Sequence, residues 1–234
     1  TVEANIGMIC VGTDQRSSHQ AVEFATNHEF TWAAIGVHPH DTKDGWGDVK
    51  TLLENKTKNS PIVAIGEIGL DYYYNNSPRE TQIEGLEAQL QMAVDYNLPV
   101  SFHVRDGAAG QPSVWDDFWP IFDNFHGLRG VLHSFTDTRD NLEKGFSRNL
   151  YVGLNGISTF TKDQLQKELF ASIPLERLLL ETDAPFLTPA PFRGNINKPE
   201  YVRLVAEYWA KQRNIDFDVL SQATLHNTKE LFGI

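Results

Sequence analysis

The protein has 234 residues, of which 41% are hydrophobic, 11% aromatic and 22% charged, a globular composition that excludes collagen, coiled-coil and disordered chains. The net charge of −11 repels nucleic acid in general, so any nucleic-acid partner has to be drawn to a local site through a bound cation. No apolar run reaches the ~18 residues of a membrane helix, and Cys10, the single cysteine, excludes an internal disulfide and favours a cytoplasmic location.

Short apolar segments alternate with amphipathic segments of helical length along the chain. Strands are predicted at residues 7–11, 31–37, 62–65, 100–103, 130–133, 151–154 and 178–181. Helices are predicted at residues 14–28, 46–58, 78–97, 113–124, 139–148, 162–173, 199–213 and 218–232. Strands that alternate with helices indicate right-handed parallel βα units. No linker or low-complexity segment divides the sequence, which predicts a single domain over residues 1–234.

The spacing of the units favours an α/β fold of the TIM (β/α)8 barrel type. Such a barrel typically needs about 250 residues and an eighth strand for closure. A doubly wound sheet is the rival fold, and it predicts a glycine-rich phosphate-binding turn after the first strand. The segment at that place, Gly12-Thr13-Asp14-Gln15, is not such a turn. We therefore expect the barrel, with the first of its strands missing from this chain.

Histidine, acidic and amide side chains follow the predicted strands at or just beyond their carboxyl ends. They are His38, His40, Glu67, His103, His133, Asn155 and Asp183. In a parallel barrel these ends share one rim, where active sites are built. Imidazole together with carboxylate suits Zn²⁺ or Mn²⁺, and Mg²⁺ fits an oxygen-rich side. The sequence therefore predicts a metal centre at this rim, with Asp183 able to act as general base.

Six sequence blocks resemble the TatD family of metal-dependent hydrolases and deoxyribonucleases, in the family's order and over nearly the whole chain. They are Gly36-Val37-His38-Pro39-His40, Ala64-Ile65-Gly66-Glu67-Ile68-Gly69-Leu70-Asp71-Tyr72, His103-Val104-Arg105-Asp106, His133-Ser134-Phe135, Leu180-Glu181-Thr182-Asp183-Ala184-Pro185, and Arg193-Gly194 followed by Asn197 and Pro199. The resemblance implies an amidohydrolase-like barrel that hydrolyses phosphodiester bonds, usually in DNA. It also implies divalent metal ions as cofactors, up to two in the complete protein.

The resemblance further implies roles for four ligand residues. Glu67 would bridge two metals, and His103 and His133 would complete one of the two sites. Asp183 would bind the other metal and act as base. The implied catalytic residues are therefore Asp183 and Glu67.

Three residues are candidates for substrate binding by the same resemblance. His38 and Arg193 occupy positions that would face the phosphate, and Arg105 is a further candidate. The planar guanidinium of arginine matches two phosphate oxygens at once, which supports a role of this kind.

One family feature is missing from the sequence. Family members open with a strand that ends in Asp-x-His-x-His, and no such motif precedes Gly7. Without it, Glu67 and Asp183 would be the only protein ligands of one metal, whereas the other site would keep Glu67, His103 and His133. The missing strand corresponds to roughly 20 residues by the length of a βα unit.

These features together predict a cytoplasmic, monomeric, exonuclease-like deoxyribonuclease that uses metal-activated water, with DNA or an oligonucleotide as substrate and no membrane partner. Two alternatives stay open. The same scaffold can cleave a small amide, ester or lactone, since a fold does not fix the substrate. Loss of the N-terminal histidines would instead give a catalytically deficient binding or scaffold protein. Tyr72, Tyr73 and Tyr74 are expected to pack over the rim, with base stacking as the alternative.

Overall fold

The structure, a computed structural model, describes residues 6–74 and 76–234. The chain divides into two compact units, Gly7–Gly130 and Val131–Ile234. In both units strands alternate with helices and the paired strands are parallel. Within the described part of the chain, none of the helices has the length and apolarity needed to span a bilayer. The predicted alternation of strands and helices is therefore confirmed.

The first unit contains four parallel strands paired in chain order. They are β1 (Met8–Val11), β2 (Thr31–Ile35), β3 (Ile62–Asp71) and β4 (Val100–Arg105). The helices are α1 (Gln15–Thr26), α2 (Gly47–Glu54), α3 (Arg79–Asp95) and α4 (Trp115–Asp123), and a short 3-10 helix spans Pro39–Asp44. Strands β2, β3 and β4 carry buried apolar side chains, as parallel sheets covered by helices require, whereas the residues of β1 are partly buried or exposed.

Helix α1 is capped by Asp14, the first residue of the predicted helical segment 14–28. The Asp14 carboxylate accepts the backbone N–H of Ser17 at 2.6 Å, and the Ser17 hydroxyl accepts the backbone N–H of Asp14 at 2.9 Å. This reciprocal arrangement satisfies two backbone donors that the first turn leaves without helical partners. The side chains of Asp14 and Ser17 therefore fix where α1 begins after β1.

Strand β3 is longer than the predicted segment 62–65 and runs to Asp71. The prediction ended the strand at the glycines of this segment, but the register against β4 shifts between Ile65 and Ile68 and pairing continues. At Gly66, where φ is 151°, a Cβ atom would lie 2.7 Å from Cβ of Ser101. Only glycine allows this close approach. Glu67 consequently lies inside β3 and not beyond the end of a strand, which corrects the expectation.

The second unit contains three parallel strands paired in chain order. They are β5 (whose three residues, Gly130–Leu132, begin at the boundary), β6 (Tyr151–Leu154) and β7 (Leu178–Leu180). The helices are α5 (Arg139–Ser147), α6 (Ile157–Phe160), α7 (Gln164–Ser172), α8 (Val202–Gln212) and α9 (Phe217–Phe232), with 3-10 turns at Leu175–Arg177 and Pro199–Tyr201. The short helix α6 was not predicted from the sequence.

The core of the second unit joins its strands to the last helix. Val131, Tyr151 and Leu179, one from each strand, pack with Leu231 of α9 and are all buried. Because these strand residues supply the apolar contacts of the core, the residues that follow β5 and β7 can be polar.

Candidate metal centre

The first unit brings together three side chains that sequence analysis singled out. Glu67 lies in β3, His103 lies in β4, and His38 stands just before the 3-10 helix that follows β2. One ligand atom from each of them lies within 4.8 Å of the others. We call His38, Glu67 and His103 the first ligand group. Imidazole and carboxylate, here of His103 and Glu67, are donors that suit a divalent ion such as Zn²⁺ or Mn²⁺.

His103 lies between two carboxylates. Its Nδ1 atom is 3.0 Å from Oε1 of Glu67, and its Nε2 atom is 2.9 Å from Oδ2 of Asp71. The Asp71 side chain is fully buried and also faces Nε2 of His40 at 3.0 Å. An ionised carboxylate only accepts hydrogen bonds, so each ring nitrogen of His103 can donate an N–H to the carboxylate that it faces. A metal bound at Nδ1 would leave the ring proton on Nε2, toward Asp71.

The surroundings of His103 favour positive charge on its imidazole. Burial opposes protonation of His103, but the hydrogen bonds with Asp71 and Glu67 outweigh it and raise the pKa of the imidazole. Burial would likewise raise the pKa of Asp71, yet its hydrogen bonds, first among them the one with His103, lower that pKa well below its usual range. The ionised Asp71 carboxylate beside these imidazoles creates a place where positive charge is stabilised.

His38 differs from His103 in how its ring nitrogens are used. Its Nδ1 atom accepts the backbone N–H of His40 at 3.2 Å, and its Nε2 atom is 3.8 Å from Oε1 of Glu67. Burial, followed by the neighbouring charge of His103, lowers the pKa of His38 to about 3. A neutral imidazole whose Nδ1 accepts must carry its proton on Nε2. His38 therefore presents an N–H donor on the side of Glu67.

The second unit has a ligand group of its own, which consists of His133, Glu181 and Asp183. His133 directly follows β5, and the two acidic residues follow β7. One ligand atom from each lies within 4.8 Å of the others. The Nδ1 atom of His133 is 2.8 Å from Oε2 of Glu181, and its Nε2 atom is 3.2 Å from Oδ1 of Asp183. We call these three residues the second ligand group.

The two carboxylates of the second ligand group have different surroundings. Glu181 uses one oxygen for His133 and the other for the backbone N–H of Ser134 at 2.6 Å. Asp183 receives a hydrogen bond from Nδ2 of Asn155 at 3.0 Å and faces Nε2 of His133. Because both Glu181 oxygens are engaged, we assign Glu181 to positioning the imidazole, and Asp183 remains the carboxylate that is available to a metal.

Sequence reasoning missed both positioning carboxylates, Asp71 and Glu181. Each stands in a sequence block that carries a predicted ligand, four residues after Glu67 in one case and two residues before Asp183 in the other. An acidic residue two or four positions from a ligand on an extended chain shares its face. This spacing could have identified Asp71 and Glu181 in the sequence. It does not show which imidazole each carboxylate contacts.

Arg193, a predicted phosphate contact, lies on an aromatic ring in the structure. Its guanidinium carbon is 3.7 Å from the ring centroid of Phe160, and its Nη1 atom donates to the carbonyl of Thr188 at 2.9 Å. These contacts fix the side chain by a cation–π interaction and a backbone hydrogen bond. Its role toward a phosphate stays a prediction.

The tyrosines that follow β3 separate into two kinds. Tyr72 is half-buried, and its hydroxyl donates to Asp117, a carboxylate that also accepts Nε of Arg79 at 2.8 Å. Tyr73 and Tyr74 are exposed. The expectation of packing is therefore confirmed for Tyr72, whereas Tyr73 and Tyr74 are exposed and contact each other and, through Tyr74, His40.

Comparison with known proteins gives the same family as the sequence blocks. A family model described as TatD-related DNase matches residues 3–233. A Bacillus subtilis relative, called the uncharacterized metal-dependent hydrolase YabD, is 34% identical and the match covers 97% of this chain and 87% of that protein. The 3′-5′ ssDNA/RNA exonuclease TatD of Escherichia coli is 35% identical, with 97% of this chain and 88% of the relative covered.

Solved structures show the same fold. The crystal structure of YJJV, a TatD homologue from Escherichia coli, superposes with a TM-score of 0.86 at 28% identity, and the match covers 97% of this chain and 86% of that chain. A TatD-family hydrolase from Entamoeba histolytica gives a TM-score of 0.82 at 24% identity, with 99% and 86% of the chains covered. The predicted fold class, an α/β fold of the TIM (β/α)8 barrel type, is thereby confirmed.

Proposed function

The chain belongs to the TatD-related DNase family, and from this premise we propose that it is a metal-dependent 3′-5′ exonuclease acting on single-stranded DNA. The observation that carries the proposal is the pair of ligand groups, each of which joins imidazole to carboxylate at distances that one divalent ion bridges. Metal-dependent hydrolysis is the activity of the family. The polarity and the single-stranded substrate are taken from the names of the exonuclease relatives.

The proposed metal ligands are Glu67 and His103 in the first unit and His133 and Asp183 in the second. Their mixed nitrogen and oxygen donors suit Mg²⁺, Mn²⁺ or Zn²⁺. Such an ion, when bound, supplies Lewis-acid stabilisation of the negative charge on the phosphate. The pairs Asp71 with His103 and Glu181 with His133 would hold each imidazole in one tautomer and orientation.

Two side chains are proposed to act on the substrate directly. Asp183 would accept the proton of the attacking water, and the amide of Asn155, 3.0 Å from its Oδ1 atom, would keep the carboxylate in place. His38 would donate a hydrogen bond from its Nε2–H to a phosphate oxygen and keep its proton, since its other ring nitrogen accepts the backbone N–H of His40. Asp183 would therefore move the proton, and His38 would only orient the phosphate.

The net charge of the protein supports binding at the end of a single-stranded nucleic acid. A net charge of −11 disfavours binding along a duplex, where many phosphates must be neutralised together. A single-stranded end presents few phosphates to a local site. A cytoplasmic location, supported by the single cysteine, and a monomeric state are further parts of the proposal.

The proposal is tested with a single-stranded 20-mer that carries a 5′ label, incubated with the purified protein and Mn²⁺ or Mg²⁺. We expect a ladder of products shortened from the 3′ end, and a loss of at least about 10²-fold in rate for Asp183→Asn. Asp95→Asn, an exposed carboxylate on α3, is the matched control and should cleave at the wild-type rate. Intact oligonucleotide together with cleavage of a neutral amide or ester would contradict the nuclease assignment and favour the small-substrate alternative.

A further inference from the structure

Two adjacent tyrosines are exposed close to the first ligand group. The side chains of Tyr73 and Tyr74 are 54% and 44% exposed, and their ring centroids are 4.8 Å apart with the rings at 77°. The guanidinium carbon of Arg105 lies 4.4 Å from the ring centroid of Tyr73 and 5.0 Å from that of Tyr74. We propose that Tyr73, Tyr74 and Arg105 form a stacking platform for a nucleobase of the single-stranded substrate. This inference rests on the proposed function.

The platform is anchored to the first ligand group through one buried carboxylate. The backbone N–H groups of Tyr73 and Tyr74 donate to Oδ1 of Asp71 at 2.9 and 3.0 Å. The other oxygen of Asp71 faces His103, a proposed metal ligand, at 2.9 Å. In addition, the ring of Tyr74 makes an edge contact with His40, with centroids 5.4 Å apart. The aromatic pair is therefore held at a fixed place beside the reacting phosphate.

The chemistry of the platform fits a base joined to a phosphate. Exposed aromatic faces stack on any of the four bases, because every base has a π-face. The guanidinium of Arg105 adds a cation in a chain of net charge −11 and can stack on a base or pair with a phosphate. An exonuclease meets each base in turn at the same place, so contacts that tolerate every base suit it better than hydrogen-bond readout does.

The neighbouring Tyr72 shows what a structural tyrosine looks like in the same segment. It is half-buried and its hydroxyl is bound to Asp117. For Tyr73 and Tyr74 the polar contacts described within the loop are made by the backbone, through Asp71. Their rings can therefore be replaced without loss of the hydrogen bonds that hold the loop.

The experiment compares two fluorescein-labelled probes, an oligo(dT) 10-mer and the same oligomer with abasic residues at its three 3′-terminal positions. Binding is measured by fluorescence anisotropy in EDTA, so cleavage and metal contacts do not enter. The test variant is Tyr73→Ala/Tyr74→Ala, and Tyr73→Phe/Tyr74→Phe keeps both rings. Tyr96→Ala, another exposed tyrosine at the end of α3, is the matched control. Circular dichroism confirms that each variant folds.

We expect the double alanine variant to weaken binding of oligo(dT) by about 5- to 150-fold, the range that corresponds to one stacked base. Binding of the abasic probe should change by less than about 2-fold, and the phenylalanine and Tyr96→Ala variants should bind as the wild type does. An alanine variant that binds oligo(dT) as the wild type does, or that loses affinity equally for both probes, overturns the platform. A wild type that binds neither probe also overturns it.

Cleavage of the two probes with Mn²⁺ separates this inference from the proposed function. If the wild type cleaves neither probe, the nuclease assignment fails, and the platform is judged by the binding comparison alone. If the wild type cleaves oligo(dT) and the alanine variant does so with unchanged kcat/KM, the nuclease assignment stands and the platform is wrong.

Discussion

The Nε2 atom of His103 lies 2.9 Å from Oδ2 of Asp71, a carboxylate whose side chain is fully buried. The second unit repeats this relationship with different residues, since Nδ1 of His133 lies 2.8 Å from Oε2 of Glu181. In both units a carboxylate fixes one ring nitrogen, and the other nitrogen is turned to a proposed ligand carboxylate. If His103 and His133 bind metal as proposed, their imidazoles are oriented before the ion arrives, which reduces the cost of binding it.

Replacement of the buried partner of His103 should weaken metal binding. In Asp71→Asn the amide can turn an N–H toward Nε2 of His103, which displaces the ring proton to Nδ1, the atom that faces Glu67. We expect affinity for Mn²⁺ or Zn²⁺ to fall by about 10- to 100-fold, as measured by competition with a chelating dye. Asp95→Asn should leave the affinity unchanged, and an Asp71→Asn affinity within 2-fold of wild type would contradict the assignment.

The partner of His133 can be tested in the same way. Glu181→Gln can still accept the backbone N–H of Ser134 but can present its amide N–H to Nδ1 of His133. Metal affinity should again fall by about 10- to 100-fold, detected by isothermal titration. The control is Glu207→Gln, an exposed carboxylate paired with Arg203 on α8, and equal affinities in the two variants would disprove a positioning role.

A glycine in β6 makes room for this same glutamate. A Cβ atom at Gly153 would collide with the carboxylate of Glu181. We expect Gly153→Ala to lower the free energy of unfolding by about 1–3 kcal/mol, as overpacking of a buried site does, measured by urea denaturation. Gly47→Ala is the matched control, since its nearest neighbour outside the helix is 3.9 Å away. A Gly153→Ala protein as stable as the control would show that Glu181 is free to move.

The partly buried Cys10 gives a prediction on pH. Burial raises the pKa of the Cys10 thiol, so less thiolate is present at a given pH. Alkylation by iodoacetamide should be slower in the folded protein than in urea, with a rate that rises at higher pH. Since the folded pKa is the higher one, the associated stability is present below the unfolded pKa and is lost as the pH rises through the folded value. The same pH dependence of the alkylation rate in folded and urea-unfolded protein would contradict the raised pKa of Cys10.

The sequence predicts a strand well where one short apolar run ends directly at a polar residue, and less well where a charged residue stands between two glycines inside the strand. Strand β6 has the predicted bounds, Tyr151–Leu154, because four apolar or small residues stand between polar segments. Strand β3 was ended too early, since Gly66 and Gly69 resemble a break. The close approach of Gly66 to Ser101 in the structure shows that Gly66 allows β3 to pack closely against β4 and does not end the strand.

The proposed ligands His133 and Asp183 could be singled out because strand ends collect functional side chains, whereas Glu67 was singled out although it lies inside β3. Their partners could not be predicted, because Asp71 and Glu181 are recognised only once the ring nitrogens they face are known. The exposure of Tyr73 and Tyr74 could not be predicted either, because the sequence does not show that Asp117 binds the hydroxyl of Tyr72.

The most direct test of the account is metal rescue at the scissile phosphate. The 3′-terminal linkage of a single-stranded oligonucleotide is replaced by each phosphorothioate diastereomer, and single-turnover cleavage is measured with Mg²⁺ and with Mn²⁺. We predict that at least one diastereomer slows cleavage by about 10-fold or more with Mg²⁺ and recovers with the softer Mn²⁺, because the ion contacts that oxygen. Equal cleavage of all three linkages under both metals would contradict the claim that the ligand groups serve metal-dependent phosphodiester hydrolysis.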